Sequence, residues 1–467
     1  MMTDPKLAPI RIDRRSAIPI HQQLYDRIRT AIVDGRLAPG ERLASARSLA
    51  VQLGVARGTI DAAYARLTGE GYLKARGQAG TIVSPILRGA PSPPPPSVPM
   101  VASGAAPLLP LRLGLPALDL FPRKLWARLA AREARKLSKE NLAYPDPMGL
   151  PLLRDAIASY LTVSRGIACH PGQIVVTNGY QAALDLTAAL LLKPRDTVWL
   201  EDPGYVFART AIQTMPVRLA PIPVDSEGLC VEHGRRYFPG ARLAVVTPAH
   251  QSPLGVCLSL PRRQALLAWA AAQNSWILED DYDCEFHYSG HKPPALKSIP
   301  GGDRVFYAGS FSKTLFPGLR LGYLVLPPDF VEAAATLCRQ RHRGQARFEQ
   351  AVVAGFMQEG HFARHLRRMR SHYKSRRQAL ADELARQFGD HVQLSLPSGG
   401  LHILARLSHH RSDTELAERA LRHGLQPSPL SPQSIKHDAG QGLLMSFTNI
   451  PEKAAAGIVA RLRKAIA

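Results

Sequence analysis

Apolar residues recur every fourth position at Ile20, Leu24, Ile28 and Ile32, which predicts one amphipathic helix. Gly35 ends it, and Pro39-Gly40 makes a turn. Ser45 is placed to cap a second helix with Leu49, Ala50 and Leu53 facing inward. Gly54 permits a tight turn into a third helix, whose inward residues are Ile60, Ala63, Tyr64 and Leu67. Tyr72-Leu73 and Thr81-Ile82-Val83 flank a loop holding Lys74, Arg76, Gly77 and Gly80, which predicts a β-hairpin with a basic tip. Two short helices joined through a glycine turn are the helix-turn-helix arrangement, and the hairpin adds a wing.

From about residue 111 short apolar strands alternate with helices. Ile174-Val175-Val176 precedes Asn178-Gly179 and a helix from Ala182 to Leu192. Thr197 to Leu200, Leu243 to Val246, Trp276 to Leu278 and Val305 to Ala308 are further buried strands. This order predicts a mainly parallel sheet in an α/β domain, with ligands beyond the carboxyl ends of the strands.

Between these regions, residues 85–110 hold nine prolines and one charged residue, Arg88, which predicts an extended spacer. The expected division is a reading head at 1–84, a linker at 85–110 and a second domain at 111–467. That second domain has a large part to about 330 and a small part from about 331. A chain of 467 residues with 45% apolar and 21% charged residues has material for such cores. No apolar run is long enough for a membrane span, and five scattered cysteines lack metal-ligand spacing. The expected setting is a reducing cytoplasm, with no membrane and no metal.

Fifty-nine basic against 37 acidic residues point to an anionic partner, and residues 1–84 carry 13 basic against 7 acidic. Short side chains at the start of the third helix let it approach base edges, while arginine reaches phosphate or guanine. The candidate DNA contacts are Arg47, Arg57, Gly58, Thr59 and Arg66, with Arg76 and Gly80 in the wing. Residues 339–377 add eleven basic residues, a weaker candidate for a second DNA contact against a solvated helix face.

The second domain carries S-F-S-K-T-L-F-P-G-L-R-L-G at 310–322. Lys313 follows a strand, where a lysine with a depressed pKa is the nucleophile for a Schiff base. Ser310, Ser312 and Arg320 can orient a phosphate, with amides of Asn178-Gly179 at a helix start. E-D-D-Y-D at 279–283 ends another strand, where a carboxylate against a pyridine nitrogen strengthens an electron sink. A tyrosine two residues on can bond a phenolic oxygen, and Tyr205 can stack on a ring.

The head resembles the GntR-type winged helix through Pro39-Gly40-Glu41-Arg42-Leu43, Leu53 to Ile60, Gly71-Tyr72-Leu73 and Gly80-Thr81. Ala56 stands where that family more often has a capping serine. The second domain resembles fold type I pyridoxal 5′-phosphate enzymes of the aminotransferase class. With E-D-P-G-Y (201–205), H-Q-S-P-L-G (250–255) and E-G-H-F-A-R-H-L-R-R-M-R (359–370), the whole chain resembles the MocR/GabR family of transcription regulators.

The resemblance implies pyridoxal phosphate on Lys313, Asp280 at its ring nitrogen with Asp281 as fallback, and Tyr282 on the phenolic oxygen. It implies Gly179, Tyr180, Ser310 and Arg320 around the phosphate. It further implies a head-to-tail homodimer on double-stranded operator DNA. His250 or Gln251 stands in for the ring's usual asparagine partner. Where relatives grip a carboxylate with arginine, this chain has Leu444, leaving Arg209 as the candidate effector clamp. The expected function is a regulator sensing pyridoxal phosphate or a linked amine. The alternative is an active aminotransferase with a docking head.

Overall fold

The computed structural model describes residues 12–77, 80–85, 108–290, 292–408 and 410–466. The chain divides into two units, Met1–Ala106 and Pro107–Ala467. The proline-rich spacer expected at 85–110 lies outside the described residues except for Pro85 and Leu108–Pro110. Those last three already belong to the second unit, where the Gln426 N–H donates to the Pro110 carbonyl.

In the first unit the apolar stripe becomes α1 (Ile20–Val33), with Leu24, Ile28 and Ile32 buried. The Ser45 hydroxyl accepts the Ser48 N–H to start α2 (Ala46–Leu53), and Gly54 closes it in the left-handed conformation. α3 (Arg57–Gly69) follows; its cap, Ala56, makes no side-chain bond. β1 (Leu73–Ala75) and β2 (Thr81–Val83) pair antiparallel, Leu73 opposite Val83. One core joins all five elements through Leu24, Leu49, Ile60, Leu67, Leu73 and Val83.

The second unit opens with α4 (Arg123–Arg135) and α5 (Pro151–Arg165). Alternation then gives β3 (Ile174–Thr177), α6 (Tyr180–Leu191), β4 (Thr197–Asp202), α7 (Val206–Gln213), β5 (Arg218–Asp225) and β6 (Gly228–Leu229). It continues with α8 (Val231–Tyr237), β7 (Leu243–Val246), α9 (Leu260–Ala272), β8 (Trp276–Asp281), β9 (Val305–Ser310), α10 (Phe311–Thr314) and β10 (Gly322–Val325). These strands form one sheet in the order β3-β10-β9-β8-β7-β4-β5-β6.

The run β9-β8-β7-β4-β5 is parallel. The expectation of a mainly parallel sheet misses β10, which runs against both β3 and β9. The connection 311–321 is too short for a parallel crossover, so β10 returns beside β9. Strands β3 and β7 are buried at every position, which explains their unbroken apolar runs.

The rest comprises α11 (Val331–Arg341), α12 (Arg347–Gln358), α13 (His361–Phe388), β11 (Val392–Ser395), β12 (His402–Leu407), α14 (Asp413–Arg422), β13 (Ser428–Pro429), β14 (Leu443–Ser446) and α15 (Ala455–Ile466). Its strands form an antiparallel sheet in the order β11-β12-β14-β13. Leu111 bridges to Ser446 of that sheet, so the unit's first described residues also pair with its far end.

Candidate functional site

The carboxyl ends of β4, β7, β8 and β9 gather the chemistry. The Ser310 hydroxyl ends β9 and caps α10 by accepting the Ser312 N–H at 3.1 Å. That single turn carries Lys313, whose Nζ donates to the Gly114 carbonyl at 2.8 Å. Gly114 has φ +83°, and a side chain there would come within 3.0 Å of the amine. Burial lowers the Lys313 pKa, while Asp283 and Asp280 pull it back up.

Successive residues of β8 face opposite sides of the sheet. Asp281 lies on the side away from the lysine, 2.7 Å from the Arg165 guanidinium and accepting the Tyr307 hydroxyl at 2.7 Å. Asp280 faces the lysine. Burial, then Asp281, Glu201 and Asp283, raise its pKa well above the usual carboxylate range, and Lys313 opposes them. Tyr282 shares that face. Burial and the acids Asp283, Asp280 and Glu201 keep its hydroxyl protonated far beyond neutral pH.

The Tyr282 hydroxyl lies 3.0 Å from His250 Nδ1, and the same nitrogen lies 3.1 Å from Asp283. His250 therefore stands behind the tyrosine. The Gln251 amide donates to Glu201, to the Pro203 carbonyl and to the Ser252 carbonyl, while its oxygen accepts the Leu254 N–H. It is a buried staple of its own loop, so Gln251 is not placed as a ring partner.

Gly179 starts α6 with φ +82°, and Arg320 lies 3.7 Å from where a side chain there would begin. Arg320 donates to the Asn178 carbonyl at 3.3 Å. Among the described residues the buried Tyr180 hydroxyl has no hydrogen-bond partner of good geometry, Asp280 being the acid beside it, and its ring lies 6.0 Å from that of Tyr205. The helix starts two residues earlier than expected, at Tyr180, and no side chain caps its first amides.

Arg209, the expected clamp, spends its terminal nitrogens on the carbonyls of Ser434 and Pro432 at 3.2 and 3.1 Å. It ties down a loop and is not placed as a clamp. Beside it, buried Asp202 accepts the N–H groups of Ile435, Lys436 and His437 at 2.7–2.8 Å. Leu444 is fully buried, packed with Leu404 and Leu430 and flanked by Leu113 and Leu254.

In the first unit Arg47, Arg57, Gly58 and Arg76 are exposed, and Thr59 and Gly80 are half-buried. Arg57 reaches Asp61 at 3.3 Å. Arg66 is exposed but engaged along the surface: it pairs with Glu70 at 3.0 Å, bonds Gln22 and lies 3.9 Å over the Tyr25 ring. Among the 339–377 cations, Arg376 is buried against Asp119 and the Thr448 carbonyl, and Arg370 and Arg377 hold backbone carbonyls. That stretch is therefore not one solvated basic face.

Sequence reasoning missed Gly114, Asp283, Glu201 and Asp202. Asp283 sat within the E-D-D-Y-D string, and strand alternation separates Asp280 from Asp281. Glu201, pushed up to about 7 by burial and held by Thr247 and Gln251, had no signal beyond its own string. Gly114 lies 199 residues from Lys313 in sequence and had none.

Two families match this chain: bacterial regulatory proteins of the gntR family over residues 20–83, and aminotransferase class I and II over 117–436. The probable rhizopine catabolism regulatory protein MocR of Rhizobium meliloti is 35% identical over 458 residues, covering 95% of this chain and 92% of that protein. The pyridoxine biosynthesis transcriptional regulator PdxR of Corynebacterium glutamicum is 33% identical over 464 residues, 98% of each. Among solved structures, LysN, the α-aminoadipate aminotransferase of Thermus thermophilus, complexed with N-(5′-phosphopyridoxyl)-L-leucine, superposes with TM-score 0.70 at 28% identity. It covers 77% of this chain and 92% of that one. A GntR winged helix joined to a class I and II aminotransferase domain, with relatives of this likeness along nearly its whole length, places the chain in the MocR family of transcription regulators.

Proposed function

We propose that this regulator reads operator DNA with its first unit and holds pyridoxal 5′-phosphate at Lys313, as the ligand to which DNA binding responds. The observation that carries the reading is the convergence of Lys313, Asp280 and Tyr282 on one face, beside the buried Tyr180 hydroxyl and a helix start that no side chain caps. That donor set fits the cofactor. Supplied there, pyridoxal phosphate brings an aldehyde that primary amines capture and a ring that withdraws electrons.

A lowered pKa gives Lys313 more of the neutral amine a nucleophile needs. Asp280 meets a protonated ring nitrogen as its counter-charge, which offsets the cost of its burial. Tyr282 donates to the phenolic oxygen, with His250 behind it, and Tyr205 lies against the ring. Gly179, Tyr180, Ser310, Ser312 and Arg320 take the phosphate. Arg47, Arg57, Gly58, Thr59, Arg76 and Gly80 meet DNA, and Arg66 supports α3 instead. The working form is a cytoplasmic head-to-tail homodimer.

The effector is pyridoxal phosphate itself, or a linked amine without a carboxylate. Leu444 sits sealed among leucines and Arg209 is spent, so a carboxylate would stay unclamped. A relative named for regulating pyridoxine biosynthesis supports this choice. The complete Lys313, Asp280 and Tyr282 set also supports a second reading, an aminotransferase; sustained multi-turnover formation of a new keto acid from amino acid and 2-oxo acid would favour it.

The deciding measurement is gel-shift affinity for DNA upstream of the protein's own gene, with and without pyridoxal phosphate, beside an absorbance spectrum. Wild type should show a band near the visible edge and a cofactor-dependent change in DNA affinity. Lys313→Ala should lose both and keep basal DNA binding. A Lys313→Ala protein that still responds as wild type overturns the reading.

A further inference from the structure

Behind β8, on the side away from Lys313, α5 and α13 enclose a cavity of about 640 Å³ with the segment that follows the strand. Its volume lies within the range of small-molecule sites. Tyr160 and Phe362 meet edge to face, with centroids 5.3 Å apart, and Leu366 extends this apolar floor. At the base lies Glu285, 8% exposed, whose carboxylate accepts the Tyr160 hydroxyl at 2.7 Å. The Ser164 hydroxyl on the same wall is buried without a partner among the described residues.

The rim is cationic. Lys292, Arg367 and Arg370 line it, against Glu285 and Asp155. Arg370 uses Nε on the Glu285 carbonyl at 3.0 Å, and Arg367 makes no hydrogen bond or ion pair among the described residues. Burial and the neighbouring Asp281 hold the Glu285 carboxyl above its usual range, so it opposes an anion less than its formal charge suggests. An aromatic corner, a hydroxyl without a partner among the described residues, and two arginines at one mouth match a ligand with a flat apolar body and one carboxylate.

We propose that this cavity is a second ligand site, separate from the Lys313 site, for a small arylalkyl carboxylate. The apolar body lies on Tyr160, Phe362 and Leu366, and the carboxylate meets Arg367 and Arg370. Glu285 follows Asp283 by two residues, and Asp283 holds His250 behind Tyr282. One stretch of chain thus borders both sites. Binding at the cavity does not depend on the reading of Lys313.

The test is calorimetric titration of the full-length protein, with and without pyridoxal phosphate, using 3-phenylpropionate as probe. Saturable binding is expected, with 3-phenylpropanol and propionate each about tenfold or more weaker. Arg367→Ala should weaken the probe by a similar factor, and Ala363→Trp, which fills the mouth from an exposed position, should abolish binding. Both sites are exposed, so unchanged far-ultraviolet circular dichroism certifies the fold. No saturable binding by wild type, wild-type binding in Ala363→Trp, or equal binding of the alcohol overturns the proposal.

Discussion

His250 Nδ1 lies 3.0 Å from the Tyr282 hydroxyl, and the imidazole is itself held by Asp283 at 3.1 Å. The Asp283 carboxylate can only accept, so the shared Nδ1 carries hydrogen, and the tyrosine's own proton is left to point toward the face that carries Lys313. The expected result is that His250→Ala loosens pyridoxal phosphate by about five- to tenfold, the loss of one buried hydrogen bond. Absorbance titration with the cofactor reads this directly. An unchanged affinity would mean that Tyr282 holds its position unaided.

The same imidazole sets a steric limit. Gly400 has φ +88°, and a side chain there would lie 2.0 Å from His250 Cε1. Gly400→Ala should cost about 2–4 kcal/mol, from the left-handed backbone and the clash together. Thermal or denaturant unfolding of the second unit measures it. Combined with His250→Ala, the clash term should vanish, so the double variant should be more stable than the two losses added. Strict additivity would place the strain elsewhere.

Asp280 and Asp281 are adjacent and should respond in opposite ways. Asp281→Asn leaves Arg165 buried without its partner and should cost about 3–5 kcal/mol. Asp280 has its carboxyl pushed up mainly by burial, so in the cofactor-free protein its charge opposes folding. That penalty is absent below the unfolded-state pKa and grows as pH rises through the folded one. Cofactor-free Asp280→Asn should therefore match wild type in acid and exceed its stability toward neutral pH. Melting curves across pH decide the sign, and a less stable Asp280→Asn at pH 7 would contradict it.

Arg209→Ala should lower the melting temperature modestly, since it frees the carbonyls of Pro432 and Ser434. It should leave the cofactor spectrum's response to γ-aminobutyrate unchanged, because wild type should show no saturable response at micromolar concentration. A micromolar response in wild type that disappears in Arg209→Ala would restore this arginine as a clamp.

In the reading head, Ala56 caps α3 without a side-chain bond. Ala56→Ser should add about 0.5–2 kcal/mol to head stability. Arg57→Ala and Arg76→Ala should each weaken DNA binding with a shallower salt dependence. Arg66→Ala should instead act first on stability, through Glu70 and Tyr25. Equal salt slopes for Arg57→Ala and wild type would remove Arg57 from the interface.

Much of this was legible because local chemistry and fold agree. The four-residue stripe of α1, the Ser45 cap and the Gly54 turn each act within a few residues, so the sequence carries them. Lys313, Asp280, Tyr282, Gly179 and Arg320 stand at strand ends, where α/β topology collects side chains. What stayed hidden depends on distant pairing. Nothing near Arg209 announces the carbonyls of a loop more than two hundred residues away. Arg376 looked like a surface cation until Asp119 met it. The direction of β10 followed from the length of a connection, a weaker signal than apolar alternation.

The hold of Asp202 on the loop at Ile435, Lys436 and His437 runs entirely through main-chain N–H groups. Such an anchor is indifferent to what side chains those three positions carry. Ile435 and Lys436 are exposed, so the surface they present can be rewritten by mutation while the loop stays seated. Proline is the exception, because it removes the donor itself. Descendants of this sequence are thus free to diversify this patch, with Asp202 on its N–H groups and Arg209 on the preceding carbonyls keeping every version in register.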